Sequence, residues 1–156
     1  MSTATLYLPA KSINWLQDLI QVNIDSRDGF QDAVDNLEDQ HSSLAVLFRH
    51  VSRERDAQAH ELQAMVAQNA EQPAKSGSVA AAAHRTWMDI RAAFGGGDQA
   101  ILSEAERGED HIKEKYESAL KDLTGCACVG TLQKQYAAVK ASHDKVRALR
   151  DLQAKA

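Results

Sequence analysis

Two cysteines, two prolines, an aromatic share of 5% and no long apolar run are what this chain has least of. Each scarcity excludes something. Cys126 and Cys128 are too few and too close to be a disulfide framework. With proline only at Pro9 and Pro73, long stretches carry no helix breaker. Few aromatics beside abundant alanine, glutamate, lysine and leucine favour helices over strands. No apolar run approaches the roughly 18 residues that a membrane span needs, so no membrane partner is expected. The opening MSTATLYLPAKS lacks a basic region followed by a continuous apolar one. It does not read as a signal peptide, and cytoplasmic residence is the expectation. Charged residues make up 26% of the chain at a net charge of -4, acids and bases interspersed. Without a basic stripe, no nucleic-acid partner is expected.

What remains is a chain of single-domain size, able to bury a core without staples. Residues 1–11 read as a tail, and residues 12–153 as one helical domain. Ser12 is placed to cap a first helix running to about Glu38, with Trp15, Leu19, Val22, Ser26, Gly29, Ala33 and Leu37 inward. A short polar turn at Asp39–Ser43 forces an antiparallel return. The second helix runs from Ser43 to about Asn69, with Leu44, Leu47, Phe48, Val51, Leu62, Met65 and Val66 on its inner face. Pro73 and Gly77 interrupt the chain, and a shorter helix is expected over Val79–Phe94, stopped by Gly95-Gly96-Gly97. Asp98 caps the next helix. Its stripe of Ile101, Leu102, Ala105, Ile112, Tyr116, Ala119, Leu120 and Leu123 is broken midway by Gly108 and Glu109. After a loop, Thr131 caps the last helix, to about Leu152, with Leu132, Tyr136, Val139, His143, Val146 and Leu149 inward.

Four of these helices are about 22–27 residues long, roughly 33–40 Å at the helical rise, and the third is only about 16. Short turns make hairpins of the first two long helices and of the last two. The short helix falls where a crossover is needed to bring the chain back. The expected fold is therefore all-α, a ferritin-like four-helix bundle with a short fifth helix in the crossover connection.

The inner faces turn small or polar at matching heights: Ser26 and Gly29; Glu54, Arg55 and Gln58; Gly108 and Glu109; Ser142 and His143. Groups buried there must pair or bind something. One reading is a buried polar layer of Ser26, Arg55, Gln58, Glu109 and His143, in which Arg55 or Lys140 neutralises Glu109. The other is a metal site for iron or zinc from Glu54, Glu109 and His143. Di-iron bundles take a Glu-x-x-His pair from each of two helices. Here the residue three before His143 is Lys140, before His60 it is Ala57, and before His50 it is Leu47. No catalytic residue is assigned, and the balance leans away from an enzyme. Cys126-x-Cys128 reads first as a plain loop, with a thiol pair or soft-metal clip as the alternative.

The runs Gly77-Ser78-Val79, His84-Arg85-x-Trp87, Ile101-Leu102-x-Glu104-x-Glu106-Arg107-Gly108-Glu109-Asp110, Gln135-Tyr136 and His143-Asp144-x-Val146-Arg147-x-Leu149-Arg150-Asp151 carry a resemblance. They are similar to an uncharacterised bacterial family of ferritin-like four-helix-bundle proteins, often labelled rubrerythrin-like. It spans about Trp15 to Asp151 and implies the bundle fold and a bacterial cytosolic setting. A role in stress response follows by analogy alone. The expected function is a non-catalytic, stress-associated or partner-binding bundle, self-associating as a dimer. The alternative is a protein that binds iron or zinc at an incomplete ferritin-like site.

Overall fold

The computed structural model describes residues 7–69, 71–76 and 97–154. Among these the chain is all-helical: α1 (Ala10–Asp35), α2 (Ser43–Gln68), α3 (Gly97–Asp122) and α4 (Val129–Ala154). The short helix expected over Val79–Phe94 lies outside the described residues. Each helix has 26 residues, about 39 Å at the standard rise.

Helix starts differ from expectation at both hairpin feet. α1 begins at Ala10 with Pro9 as its cap, and no side chain caps it. The proline ring holds φ at -59°, and the Pro9 carbonyl takes the Ile13 N–H at 3.1 Å. Ser12 is thereby carried inside the helix, where it is buried. Chain anchoring also starts earlier than residue 12. Leu8 is buried, and its N–H donates to Asn69 Oδ1 at 2.8 Å. α4 begins at Val129 rather than after Thr131, because the Cys128 carbonyl already accepts the Leu132 N–H at 3.1 Å. Ser42 does cap α2, accepting from Ala45 N. Gln40 closes the other side of that turn, its Nε2 donating to the carbonyls of Val34 and Leu37.

Directions follow from the cross-helix bonds. α1 packs on α2 and on α3, and α3 packs on α4. The start of α1 meets the end of α2 through Leu8 and Asn69. It also meets the end of α3, through Trp15 Nε1 to Asp122 Oδ2 at 2.7 Å. α1 is therefore antiparallel to both, and α2 and α3 run the same way. Asn69 and Gly97 lie at opposite ends of the bundle.

The interior splits into two apolar clusters. One gathers Leu16, Leu19, Ile20, Leu62, Val66, Ile112, Tyr116 and Leu132. The other gathers Phe30, Ala33, Phe48, Val51, Ile101, Leu102 and Val146, with Phe30 and Phe48 edge to face at 5.1 Å. On every helix the gap between clusters falls at mid-length. That gap holds the polar residues.

Candidate polar centre

Arg55 sits halfway along α2, and Glu109 halfway along α3. Both side chains have 0% exposure. Desolvating two charges is costly, and only close pairing with further hydrogen bonds compensates it. Arg55 Nη2 lies 2.8 and 3.0 Å from the two Glu109 carboxylate oxygens and donates to both. It also donates to Ser142 Oγ of α4 at 2.6 Å. The Ser142 hydroxyl lies 2.6 Å from Glu109 Oε2 and 2.9 Å from the Val139 carbonyl, both acceptors. On its other side Arg55 donates through Nη1 to Glu54 Oε1 at 2.9 Å. Glu54 is 26% exposed, so this second carboxylate opens toward solvent. Lys140, the other cation considered for Glu109, is outside the core and pairs with Asp144 at 3.0 Å.

About two turns further toward the α1 N-terminus lies a second network, built of amide and phenol groups and ending on one carboxylate. Tyr116 is fully buried and donates its hydroxyl proton to Gln135 Oε1 at 2.8 Å, while accepting from Asn23 Nδ2 at 2.7 Å. Gln135 Nε2 donates to Glu61 Oε1 at 2.8 Å and faces the Gln58 carbonyl at 3.4 Å. Gln58 returns a long bond to the Gln135 carbonyl. All four helices are tied in this way. Ser26 is buried beside the layer, and its Oγ has no hydrogen-bond partner among the described residues.

His143 is buried but belongs to neither network. Its Nε2 lies 2.5 Å from Asp110 Oδ1, and its Nδ1 lies 3.2 Å from Asp144 Oδ1. Among the described residues, Glu106, Asp110 and His143 bring potential ligand atoms within 4.8 Å of one another. This group stands at the rim of the α3–α4 hairpin. The set Glu54, Glu109 and His143 does not converge: Arg55 stands between the two glutamates, and His143 turns to Asp110. Glu106 is buried and is held by Arg150, with Arg147 Nε at 4.0 Å.

Chemically, the centre and the rim differ. A di-iron site needs carboxylates and imidazoles around a cation-sized gap. The centre instead presents a guanidinium against its one fully buried carboxylate, and that donor set does not fit a di-iron unit. The rim set of two carboxylates and an imidazole suits zinc or iron, with Asp144 orienting the ring through Nδ1. Two arginines compete for Glu106 there.

Asn23, Glu106 and Gln135 are buried beyond the expected layer, although helical spacing puts them in line with the inner faces. Glu106 is three residues before Glu109, and Gln135 four before Val139. Asparagine, glutamate and glutamine are usually exposed, so residue type gives no signal that these three are buried.

His111, also on α3, gives a pH prediction. Burial, helped by the Lys115 charge and opposed by Glu114, holds its imidazole below the ordinary 6.5. The unfolded chain therefore takes up this proton first as pH falls, so His111 favours the folded state above pH 6.5 and loses that contribution below it. Melting curves across this range should show a steeper acid decline for the wild type than for His111→Gln. Superimposable declines would mean that this imidazole is not a source of acid sensitivity.

No curated protein matches the chain. Residues 11–122 match a family model described as a domain of unknown function, DUF2383, a stretch that takes in Arg55 and Glu109 and ends before α4.

Proposed function

The chain belongs to the DUF2383 family, and from this premise we propose that it is a ferritin-like bundle working as a non-catalytic, partner-binding module. Its central cation is the Arg55 guanidinium, where a di-iron protein has metal. The observation that carries the reading is the pairing of Arg55 with both Glu109 oxygens, with neither side chain exposed. A fixed cation of this kind neutralises the carboxylate and leaves no open coordination position. The order of directions supports the ferritin-like connectivity. α2 and α3 run parallel, so the link from Asn69 to Gly97 joins opposite ends, as a long crossover does. Function then falls to the surface. Val46 and Leu152, exposed apolar side chains at the same end of the bundle, are the candidate contacts for a homodimer.

A second reading is favoured by one observation, the convergence of Glu106, Asp110 and His143. It makes the chain an iron- or zinc-binding protein with its site at the rim of the α3–α4 hairpin, away from the bundle axis. One preparation tests both readings. Protein from iron- and zinc-supplemented cultures is assayed for metal content and for mass by light scattering, beside His143→Gln. The first reading expects a dimer without stoichiometric metal, its melting temperature indifferent to either ion. One metal per chain, lost in His143→Gln, would overturn it in favour of the second. A monomer at all concentrations would remove the dimer.

A further inference from the structure

The most reactive chemistry in the molecule lies away from the polar centre, at the turn between α3 and α4. Cys126 and Cys128 are both free, with their sulfurs 2.6 Å apart. They are unequal. Cys126 is partly exposed and lines an open cleft of about 420 Å³ together with Lys11, Ser12, Asp122 and Thr124. Cys128 has 0% exposure and belongs to the apolar cluster at that end of the bundle.

The surroundings reinforce the difference. Ser12 Oγ of α1 lies 3.2 Å from Cys126 Sγ, and the Cys128 N–H donates to the same sulfur at 3.4 Å. Burial works against ionisation of Cys126. The hydrogen bonds from the Cys128 thiol, Ser12 and the Cys128 amide outweigh it and hold the thiol below its usual range. For Cys128, burial and the adjoining Cys126 sulfur push the thiol up to about 12. Both residues also lie at the N-terminal end of α4, where the helix dipole favours a nearby anion. An accessible thiol disposed to ionise, with a protonated partner in contact behind it, is the arrangement that thiol–disulfide exchange requires.

We propose that Cys126 and Cys128 form a redox switch that is oxidised by low-molecular-weight disulfides entering this cleft, Cys126 attacking and Cys128 resolving. The Cys126 thiolate attacks one sulfur of the small disulfide. That S–S bond breaks, a mixed disulfide forms on Cys126, and one small thiolate leaves. Cys128 then passes its proton to the departing group as its sulfur attacks Cys126 Sγ, and the second small molecule leaves as a thiol. The two protein thiols give up two electrons and two protons to become one internal disulfide, and the small disulfide becomes two thiols. The contact between the sulfurs lets the second step proceed without movement of a helix. Oxidation replaces the Cys126 thiol, 3.2 Å from Ser12 Oγ, by a disulfide sulfur, so the group that changes is one in contact with the first turn of α1.

Reduced full-length protein treated with oxidised glutathione, quenched in acid and weighed intact tests this. The wild type should lose two hydrogens, with a glutathione adduct seen only transiently. Cys128→Ser should accumulate one stable adduct, and Cys126→Ser should stay unmodified while folded, as circular dichroism verifies. A stable adduct on the wild type without the internal disulfide would overturn the proposal. So would modification of Cys126→Ser at the wild-type rate, or a wild-type chain that reacts only after unfolding in urea.

Discussion

An Arg55→Leu variant is expected to lose about 3–5 kcal/mol of stability, because it strands the Glu109 carboxylate in the core without a counter-charge. For a chain of this size each kcal/mol moves the midpoint by about 2–4 °C, so melting should fall by roughly 6–20 °C. Arg55 donates to Glu54, Glu109 and Ser142 at once, and no other cation reaches Glu109 among the described residues. The loss should be largely reversed when the stranded charge is removed as well. In Arg55→Met/Glu109→Leu both members of the pair are apolar and of similar volume, an exchange that is often neutral or stabilising for buried ion pairs. Calorimetry on the wild type and both variants decides. If the single variant melts within about 2 °C of the wild type, Glu109 is not a buried charge that depends on Arg55, and the proposed closed centre fails with it.

Tyr116→Phe is expected to show the next largest effect, about 1–3 kcal/mol, the cost of leaving a buried acceptor without its donor. The ring still fills its place between the apolar residues, so the loss isolates the hydroxyl. Gln135 Oε1 is left without the proton that Tyr116 donates at 2.8 Å. Asn23 keeps its second acceptor, the Leu19 carbonyl, and suffers less. The same hydroxyl sets an alkaline limit. Burial pushes the Tyr116 phenol well above its ordinary 10.0, against the hydrogen bond from Asn23 and the charge of Arg55. Above pH 10.0 the unfolded chain therefore ionises first, the folded state holds more protons, and stability falls as pH rises. Denaturant titrations at neutral pH and above pH 10.0 should show wild-type stability declining toward that of Tyr116→Phe. A constant gap between the two proteins would mean that the phenol is not the alkaline group.

The helices were legible because helical periodicity is local. Leu19, Val22, Ala33, Phe48, Val51, Leu102, Ile112 and Leu132 are all buried where their spacing puts them. The height of the polar interruption was legible for the same reason, since helices of equal length align their midpoints. Arg55, Gln58, Glu109 and His143 stand within that gap and are buried. Helix starts were less legible. Ser12 and Thr131 have the side chains of caps, but proline geometry at Pro9 and the Cys128 carbonyl start their helices three residues earlier. A cap preference of about 1 kcal/mol is overridden when packing rewards a longer helix.

Which polar groups meet depended on rotation about each helix axis, and no single-helix pattern carries that. Successive residues are turned by roughly 100°. Glu109 and Ser142 face the bundle axis, and the next residue on each helix, Asp110 and His143, turns with its neighbour to the rim. The sequence by itself determined four amphipathic helices, their return turns and a buried polar height, through side-chain spacing along one helix. Only the tertiary structure decided that Arg55 closes on Glu109, that His143 joins Asp110, and that Ser12 of α1 touches Cys126. Those contacts depend on how four helix surfaces lock together.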